Sequence, residues 1–214
     1  MTDIELKTIS PQNRTLKQWL FNPFQFIAGG SALLLGALII LITAYIGSLS
    51  NTHFDGVLDI HSGLTAPLWF FFAEAAIDWL CLSVVLLITA FFVSRSSFRI
   101  IDIFGTGALA RIPYFFAILV TLPKGFSRFA EYLAAKSMNQ PTTITTAKLD
   151  VLLFAVGIVV VLLMLVWMVV LMYRAYAVSC NIKGGKAIGS FIAGLIIAEV
   201  LSKLAIWLLV VQTR

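Results

Sequence analysis

Charged side chains are scarce in this chain. Asp, Glu, Lys and Arg make up 12% of its 214 residues, against about 25% in an average soluble domain. A soluble domain with an ordinary charged surface is therefore excluded. The formal net charge is nevertheless +5. Because the Lys and Arg residues gather between apolar stretches, we expect them to contact anionic lipid headgroups and not nucleic acid.

Cysteine and histidine are almost absent. Cys81 lies in an apolar stretch and Cys180 in a basic one, without CxxC spacing, so we expect neither a disulfide nor a redox centre. Both histidines fall in one loop, which argues against a Ser/His/Asp or Cys/His arrangement. Residues 105–110 fit G-x-G-x-x-A, but the strand and acidic partner of a dinucleotide site are missing. The sequence predicts a non-enzymatic protein without a cofactor.

Long apolar runs dominate what is present. Hydrophobic residues make up 60% of the chain and the mean hydropathy is +1.00. About 20 apolar residues in a helix match the hydrocarbon thickness of a bilayer. The sequence therefore predicts an all-α, polytopic membrane helix bundle, preceded by a cytoplasmic or interfacial segment at residues 1–25. The membrane domain covers 26–211, with five predicted spans at about 26–49, 67–93, 100–122, 149–172 and 187–211.

The third run is the weakest helix. Gly105, Gly107 and Pro113 disfavour a continuous helix, and Asp102 and Arg111 place charge within it. A broken helix is one interpretation. The alternative is four spans with a re-entrant segment at 100–122, which is possible where neighbouring helices cover the backbone. Residues 124–148 are polar and favour a short surface helix.

The distribution of positive charge predicts the orientation. Loop 50–66 contains no Lys or Arg, so it should face away from the cytoplasm and leave the N-terminus inside. With five spans, residues 124–148 and their basic side chains then lie outside, against the positive-inside rule. With four spans they lie inside, but the basic residues at 174–186 move out. The length of the third run favours five spans.

Charged residues inside the apolar runs are the main candidates for function. Glu74 and Asp78 are four residues apart on one helical face, and Glu199 and Lys203 form a second such pair. Charges in the bilayer are costly and need partners. One interpretation is a proton or ion path, and the other is a buried pairing network that fixes helix order. The predicted network comprises Glu74, Asp78, Arg111, Glu199 and Lys203.

Basic and glycine-rich links are a second candidate region. Lys183, Gly184, Gly185 and Lys186 precede the last run, and free N–H groups at a helix start with two lysines suit a phosphate. Small residues recur every four positions in the first and last runs, which permits close packing or a homo-oligomer. The candidate surface for lipid headgroups or a membrane-protein partner comprises Arg95, Arg99, Arg174, Lys183 and Lys186.

The loop between the first two spans contains a third candidate. His53, Asp55, Asp59 and His61 follow the pattern H-x-D-x3-D-x-H. Each offers a ligand atom for a divalent metal, but the spacing matches no established motif. These four residues are therefore weak metal candidates, and ordinary contact with water is the simpler interpretation.

Three blocks of sequence resemble the Yip (Ypt-interacting protein) membrane-domain family in its bacterial branch. They read LFNPF, FRIIDIFGTGALARIPYF and YAVSCNIKGGKAIGSFIAGLIIAEVLSKL. The resemblance covers about residues 18–211 and implies five membrane helices, a cytoplasmic N-terminus and no enzymatic activity. Eukaryotic members act in vesicle traffic with small GTPases of the Rab type. The long acidic N-terminal segment of those members is absent here, so that role is not carried over.

These observations predict a non-enzymatic integral membrane protein that organises membrane or recruits a partner. The basic segments 95–111 and 174–186 would form the contact surface. The alternative is a small permease or a proton-coupled transporter that uses the intramembrane charges. Metal binding by the loop at 50–66 is a weaker alternative.

Overall fold

The computed structural model describes residues 15–62 and 65–212, with only the backbone of Gln212. Most of the predicted cytoplasmic segment, residues 1–14, and Gly63 lie outside the described residues. Helices dominate, and a two-residue strand pair is the only sheet in the described part. The elements are α1 Leu16–Phe21, a 3-10 turn Pro23–Gln25, α2 Gly29–Ser50, β1 Thr52–His53, β2 His61–Ser62, α3 Leu68–Val93, α4 Ile100–Leu109, α5 Ile112–Leu119, α6 Lys124–Ser137, α7 Lys148–Ser179 and α8 Gly184–Gln212.

The all-α polytopic bundle is confirmed. Within the described ranges, five helical segments are long and apolar enough to cross a bilayer. They are α2, α3, α4 with α5, α7 and α8. The fourth is longer than predicted, since α7 has 32 residues and ends at Ser179. Arg174 therefore lies on a helix and not in the loop that follows.

The third span is a broken helix that runs the whole length of the bundle. α4 ends at Leu109, and α5 begins at Ile112 with Pro113 in its first turn. Proline is tolerated there because the first-turn N–H groups have no helical partner. The start of this span lies beside Gly29 at the beginning of α2. Thr121, just beyond its end, lies 3.2 Å from Ser50 at the end of α2. This geometry matches the five-span prediction.

Small residues let α2 and α4 pack closely. A Cβ atom on Gly36 would lie 2.4 Å from the Leu109 nitrogen, and one on Gly105 would lie 2.5 Å from the Gly29 oxygen. On α8, Gly194 lies against Leu86 of α3, whereas Gly189 has open space beside it. The small residues of α8 thus lie on more than one face, and the face that contains Gly194 packs inside the bundle.

The bundle has two ends of different construction. We call the end that carries residues 50–62 and 120–147 the loop end. The opposite end, formed by residues 94–99 and 180–183, is the link end. There the Ser94 hydroxyl donates to the Cys180 carbonyl at 2.8 Å, and the Asn181 amide donates to Ser96 at 3.2 Å. Both cysteines are free.

The predicted surface helix is confirmed as α6 and is attached to α7 by its N-terminal half. The Phe126 ring covers Gly157, where a Cβ would lie 2.6 Å from that ring. Arg128 Nη1 lies 3.1 Å from Asp150 Oδ2. The C-terminal half of α6 is largely exposed.

Candidate functional site

The loop between α2 and α3 turns back into the bundle. Thr52, His53, Phe54 and Val57 are all buried. The strand pair aligns His53 with His61. Tyr114 of α5 donates from its hydroxyl to the Val57 carbonyl at 3.0 Å, and its ring lies 4.7 Å from that of Phe54. The loop is thus an internal part of the fold.

His53 reaches a carboxylate in the predicted span. Its Nδ1 atom lies 3.1 Å from each Glu74 oxygen, and its ring stacks on Phe71 at 4.5 Å. Both side chains are almost fully buried, at 7% and 3% exposure. A hydrogen bond to an ionised group in such surroundings is stronger than a neutral one. Contact with water, the simpler interpretation of the loop pattern, is therefore wrong for His53, and the spacing of the sequence did not reveal its pair with Glu74.

Asp78 and Arg111 form the deepest charge pair. Asp78 lies ten residues into α3, which is about 15 Å along the helix and near the middle of a bilayer of about 30 Å. Arg111 Nη1 is 3.9 Å from Asp78 Oδ2, and their side chains are 4% and 0% exposed. That separation is too long for a hydrogen bond. Arg111 occupies the break between α4 and α5, so the broken helix places it there.

Several buried polar atoms around this pair lack hydrogen-bond partners among the described residues. They include both Asp78 oxygens, Nε and Nη2 of Arg111, and the hydroxyls of Thr43 and Ser83. A cavity of about 10 Å³ borders Thr43, Arg111 and Tyr114, roughly the space that one water needs. Buried polar groups are normally hydrogen-bonded. We therefore expect one water molecule in this cavity, beside Thr43 and Arg111. His53, Glu74, Asp78 and Arg111 are called the central cluster below.

Glu199 and Lys203 form a pair that faces the loop. Their charged atoms are 3.6 Å apart, as the four-residue spacing predicts. Glu199 accepts from the Leu58 N–H at 2.9 Å, and Lys203 contacts Asp59. The Lys203 side chain is 45% exposed, so this pair lies nearer to solvent than Asp78. The structure thus brings only part of the predicted five-residue network into the central cluster.

Three of the four metal candidates converge at the mouth of the loop. Ligand atoms of Asp55, Asp59 and His61 lie within 4.8 Å of one another, whereas His53 turns to Glu74. Their oxygen and nitrogen donors fit a divalent metal. The Lys203 ammonium already contacts Asp59, and a metal ion would have to displace it. The metal site stays a prediction. We call these three residues the mouth cluster.

The mouth cluster contains a titrating pair. His61 Nδ1 is 3.3 Å from Asp55 Oδ1. The close contact with Asp55 raises the pKa of His61 above its usual 6.5, and the same contact lowers the pKa of Asp55 below 3.8. The His61 ring also stacks 5.8 Å from the His53 ring. The exposed mouth and the buried central cluster are thus adjacent.

The basic candidates are exposed and lie toward the link end. Arg99 is the one with a close acidic partner, since its Nε lies 2.9 Å from Asp102 while its side chain stays 73% exposed. The arrangement offers a positive surface to headgroups or to a partner. The exposed members are Arg95, Arg99, Arg174, Lys183 and Lys186.

No protein-family model, curated protein or solved structure matches this chain, so the resemblance to the Yip family stays a prediction.

Proposed function

We propose that this chain is a small, non-enzymatic membrane protein that passes protons through its central cluster. The observation that carries the proposal is the re-entry of the loop, which sets His53 against Glu74 above the Asp78–Arg111 pair. Titratable groups then follow one another from the exposed mouth to the middle of the bundle. Imidazole is suited to such a relay because it gains and loses a proton near neutral pH.

The charges of the central cluster favour exchange of a single proton. Glu74 and Asp78 contribute two negative charges when ionised, and Arg111 contributes one positive charge. One added proton, on His53 or on a carboxylate, makes the cluster neutral. A net charge is costly at this depth, so the bound proton is favoured. The Glu199 carboxylate on α8 also acts electrostatically on Asp78, and the Arg111 guanidinium lies 5.8 Å from the centre of the Tyr114 ring on α5.

Hydroxyl groups mark a route from the central cluster toward the link end. Ser83 lies below Asp78 on α3, and a Cβ on Gly107 of α4 would be 3.3 Å from its oxygen. Thr106 is the residue before Gly107 on α4, one position nearer the link end. Its hydroxyl oxygen lies 2.9 Å from the hydroxyl oxygen of Ser179 on α7. Water between these hydroxyls would complete the relay.

The test is proton flux in reconstituted vesicles. A potassium gradient with valinomycin sets a membrane potential that drives protons into the vesicles. A pH-sensitive dye inside the vesicles measures the rate at which their interior acidifies. Glu74→Gln and Asp78→Asn should reduce the rate to that of protein-free vesicles, because neither amide binds a proton near neutral pH. Lys136→Gln on α6 is the control, since Lys136 is exposed and outside the central cluster. Unchanged flux in both cluster variants refutes the proposal.

A second candidate function is membrane organisation or partner recruitment at the link end. The exposed basic side chains at this end favour it. In this proposal the link end is cytoplasmic, the membrane is a bacterial-type inner membrane and the N-terminus is inside. Alanine at Arg95, Arg99, Lys183 and Lys186 should weaken partner or lipid association. Association equal to that of the unaltered protein would reject this function.

A further inference from the structure

A second cavity, of about 730 Å³, opens at the loop end. Its volume lies within the range of about 300–1,000 Å³ that is typical of ligand pockets. One wall is a stripe of α7 formed by Phe154, Ile158 and Val161. These residues lie about 9 to 20 Å along the helix from its first residue. The lining therefore covers about 10 Å of α7.

Residues of α6 and the residue that follows it form the roof of the cavity. Ala130, Ala134 and Met138 line it, and the spacing of four residues puts the two alanines on one face of α6. Met138 comes directly after α6 and is 67% exposed. An exposed apolar side chain beside an apolar cavity wall favours an apolar occupant.

The rim of the cavity is polar and carries both signs of charge. Lys124, His61 and Glu131 line it. The hydroxyls of Thr52 and Thr121 bond to each other at 3.0 Å. The charged rim residues are therefore the groups most able to bind a headgroup.

We propose that this cavity binds one phospholipid with a zwitterionic, amine-bearing headgroup. An acyl chain lies along the α7 stripe, the phosphate lies at Lys124 and His61, and the amine lies at Glu131. Two basic groups and one acidic group in the rim complement a phosphate and an ammonium. The apolar slot below matches the hydrocarbon chain. This site shares His61 with the mouth cluster, but the proposal does not rest on the proton proposal.

The test is titration of the purified full-length protein with dioctanoyl phosphatidylethanolamine, followed by native mass spectrometry. A saturable first copy is expected. Ala134→Trp fills the slot and should weaken that copy at least about tenfold, whereas Leu133→Trp, on the same helix but outside the lining, should leave it unchanged. Lys124→Gln should weaken it by about tenfold through the lost charge-assisted bond. Lys136→Gln, outside the lining, is its control.

Three results would overturn the proposal. They are the absence of a saturable copy, equal binding by Ala134→Trp and the unaltered protein, and equal binding of dioctanoyl glycerol, which lacks the headgroup. Inorganic phosphate should not compete, because the acyl chain supplies much of the affinity. If Ala134→Trp fails to fold, Ile158→Trp fills the same cavity from α7. Its control is Val159→Trp, which lies outside the lining on the exposed side of α7.

Discussion

The two ends of the bundle connect their helices in different ways. At the link end the chain turns within a few residues, and the basic side chains remain exposed. At the loop end the chain folds back among the helices and buries His53 beside Glu74. Charge that stays in water costs little and interacts weakly. Charge taken into the bundle is costly and demands partners. The loop end is therefore the place where a proton can change the energy of the fold.

The largest expected effect comes from the charge pair below the loop. Arg111→Leu leaves Asp78 buried without its partner and should destabilise the protein by about 3–5 kcal/mol. Arg95→Leu at the link end is the control and should stay within about 0.5 kcal/mol. The measurement is the unfolding equilibrium in mixed micelles. Adding Asp78→Asn to Arg111→Leu should restore part of the loss. Equal stability of the two arginine variants would abolish the contrast between the ends.

The next effect concerns the apolar anchor of the loop. Phe54 is 3% exposed, and loss of such a ring costs about 3–5 kcal/mol in a core. We expect Phe54→Ala to lower the free energy of unfolding by about 3 kcal/mol, because the Tyr114–Val57 hydrogen bond still holds the loop. Phe92→Ala on α3 near the link end, where Phe92 is 86% exposed, should change little. Hydrogen exchange of residues 52–62 should accelerate only in the first variant. Unaltered exchange would show that the loop is held without Phe54.

A smaller effect should follow pH at the mouth cluster. Because the pKa of His61 is raised, its pair with Asp55 stabilises the loop fully below pH 6.5. That contribution is lost as pH rises through the raised pKa. Because the pKa of Asp55 is lowered, its contribution is present above 3.8 and is lost as pH falls through the lowered pKa. The His61 and Asp55 side chains are 45% and 36% exposed. Solvent therefore screens the pair, and its total contribution to the stability of the loop is at most about 1 kcal/mol.

Hydrogen exchange of the loop, measured from pH 5 to 9 and corrected for intrinsic rates, tests this dependence. Protection should decrease toward the alkaline side. His61→Ala should remove the dependence, and Lys183→Ala at the link end should preserve it. A dependence that persists in His61→Ala would assign it to another group, with the His53–Glu74 pair as the first to examine.

The smallest effect on stability is expected for the link-end lysines. Lys183→Ala with Lys186→Ala should change the free energy of unfolding by less than about 0.5 kcal/mol. Binding of anionic lipid should nevertheless weaken by about 1 kcal/mol for each lysine removed. Vesicles with and without phosphatidylserine measure this difference. A large loss of stability would mean that Lys183 and Lys186 make stabilising contacts at the link end, against their exposed positions.

The fold followed from local sequence signals, whereas the interior of the site did not. Apolar length predicted the spans, and Gly105, Gly107 and Pro113 predicted the break that carries Arg111. The four-residue spacing predicted the Glu199–Lys203 contact. That spacing could not show which surface the pair faces, since this depends on where the loop lies.

The His53–Glu74 contact joins residues that are 21 positions apart through the re-entry of a loop. Hydrophobic periodicity predicts helices and their faces, and it does not predict contacts between a loop and a distant helix. One signal was present, because Phe54, Val57 and Leu58 are apolar residues in a segment without Lys or Arg. An apolar loop without positive charge at a membrane surface is a reason to expect that it folds inward.

The length of α7 has a consequence for the membrane that surrounds it. Residues 151–173 carry no charged side chain and extend about 35 Å as a helix, against about 30 Å of hydrocarbon in a typical bilayer. Only 17% of its most apolar window is buried, so this excess meets lipid directly. Hydrophobic mismatch then favours either a tilted helix or a locally thicker bilayer, at fractions of a kcal/mol per Å. In a membrane of uneven thickness, the protein should therefore concentrate in the thicker regions.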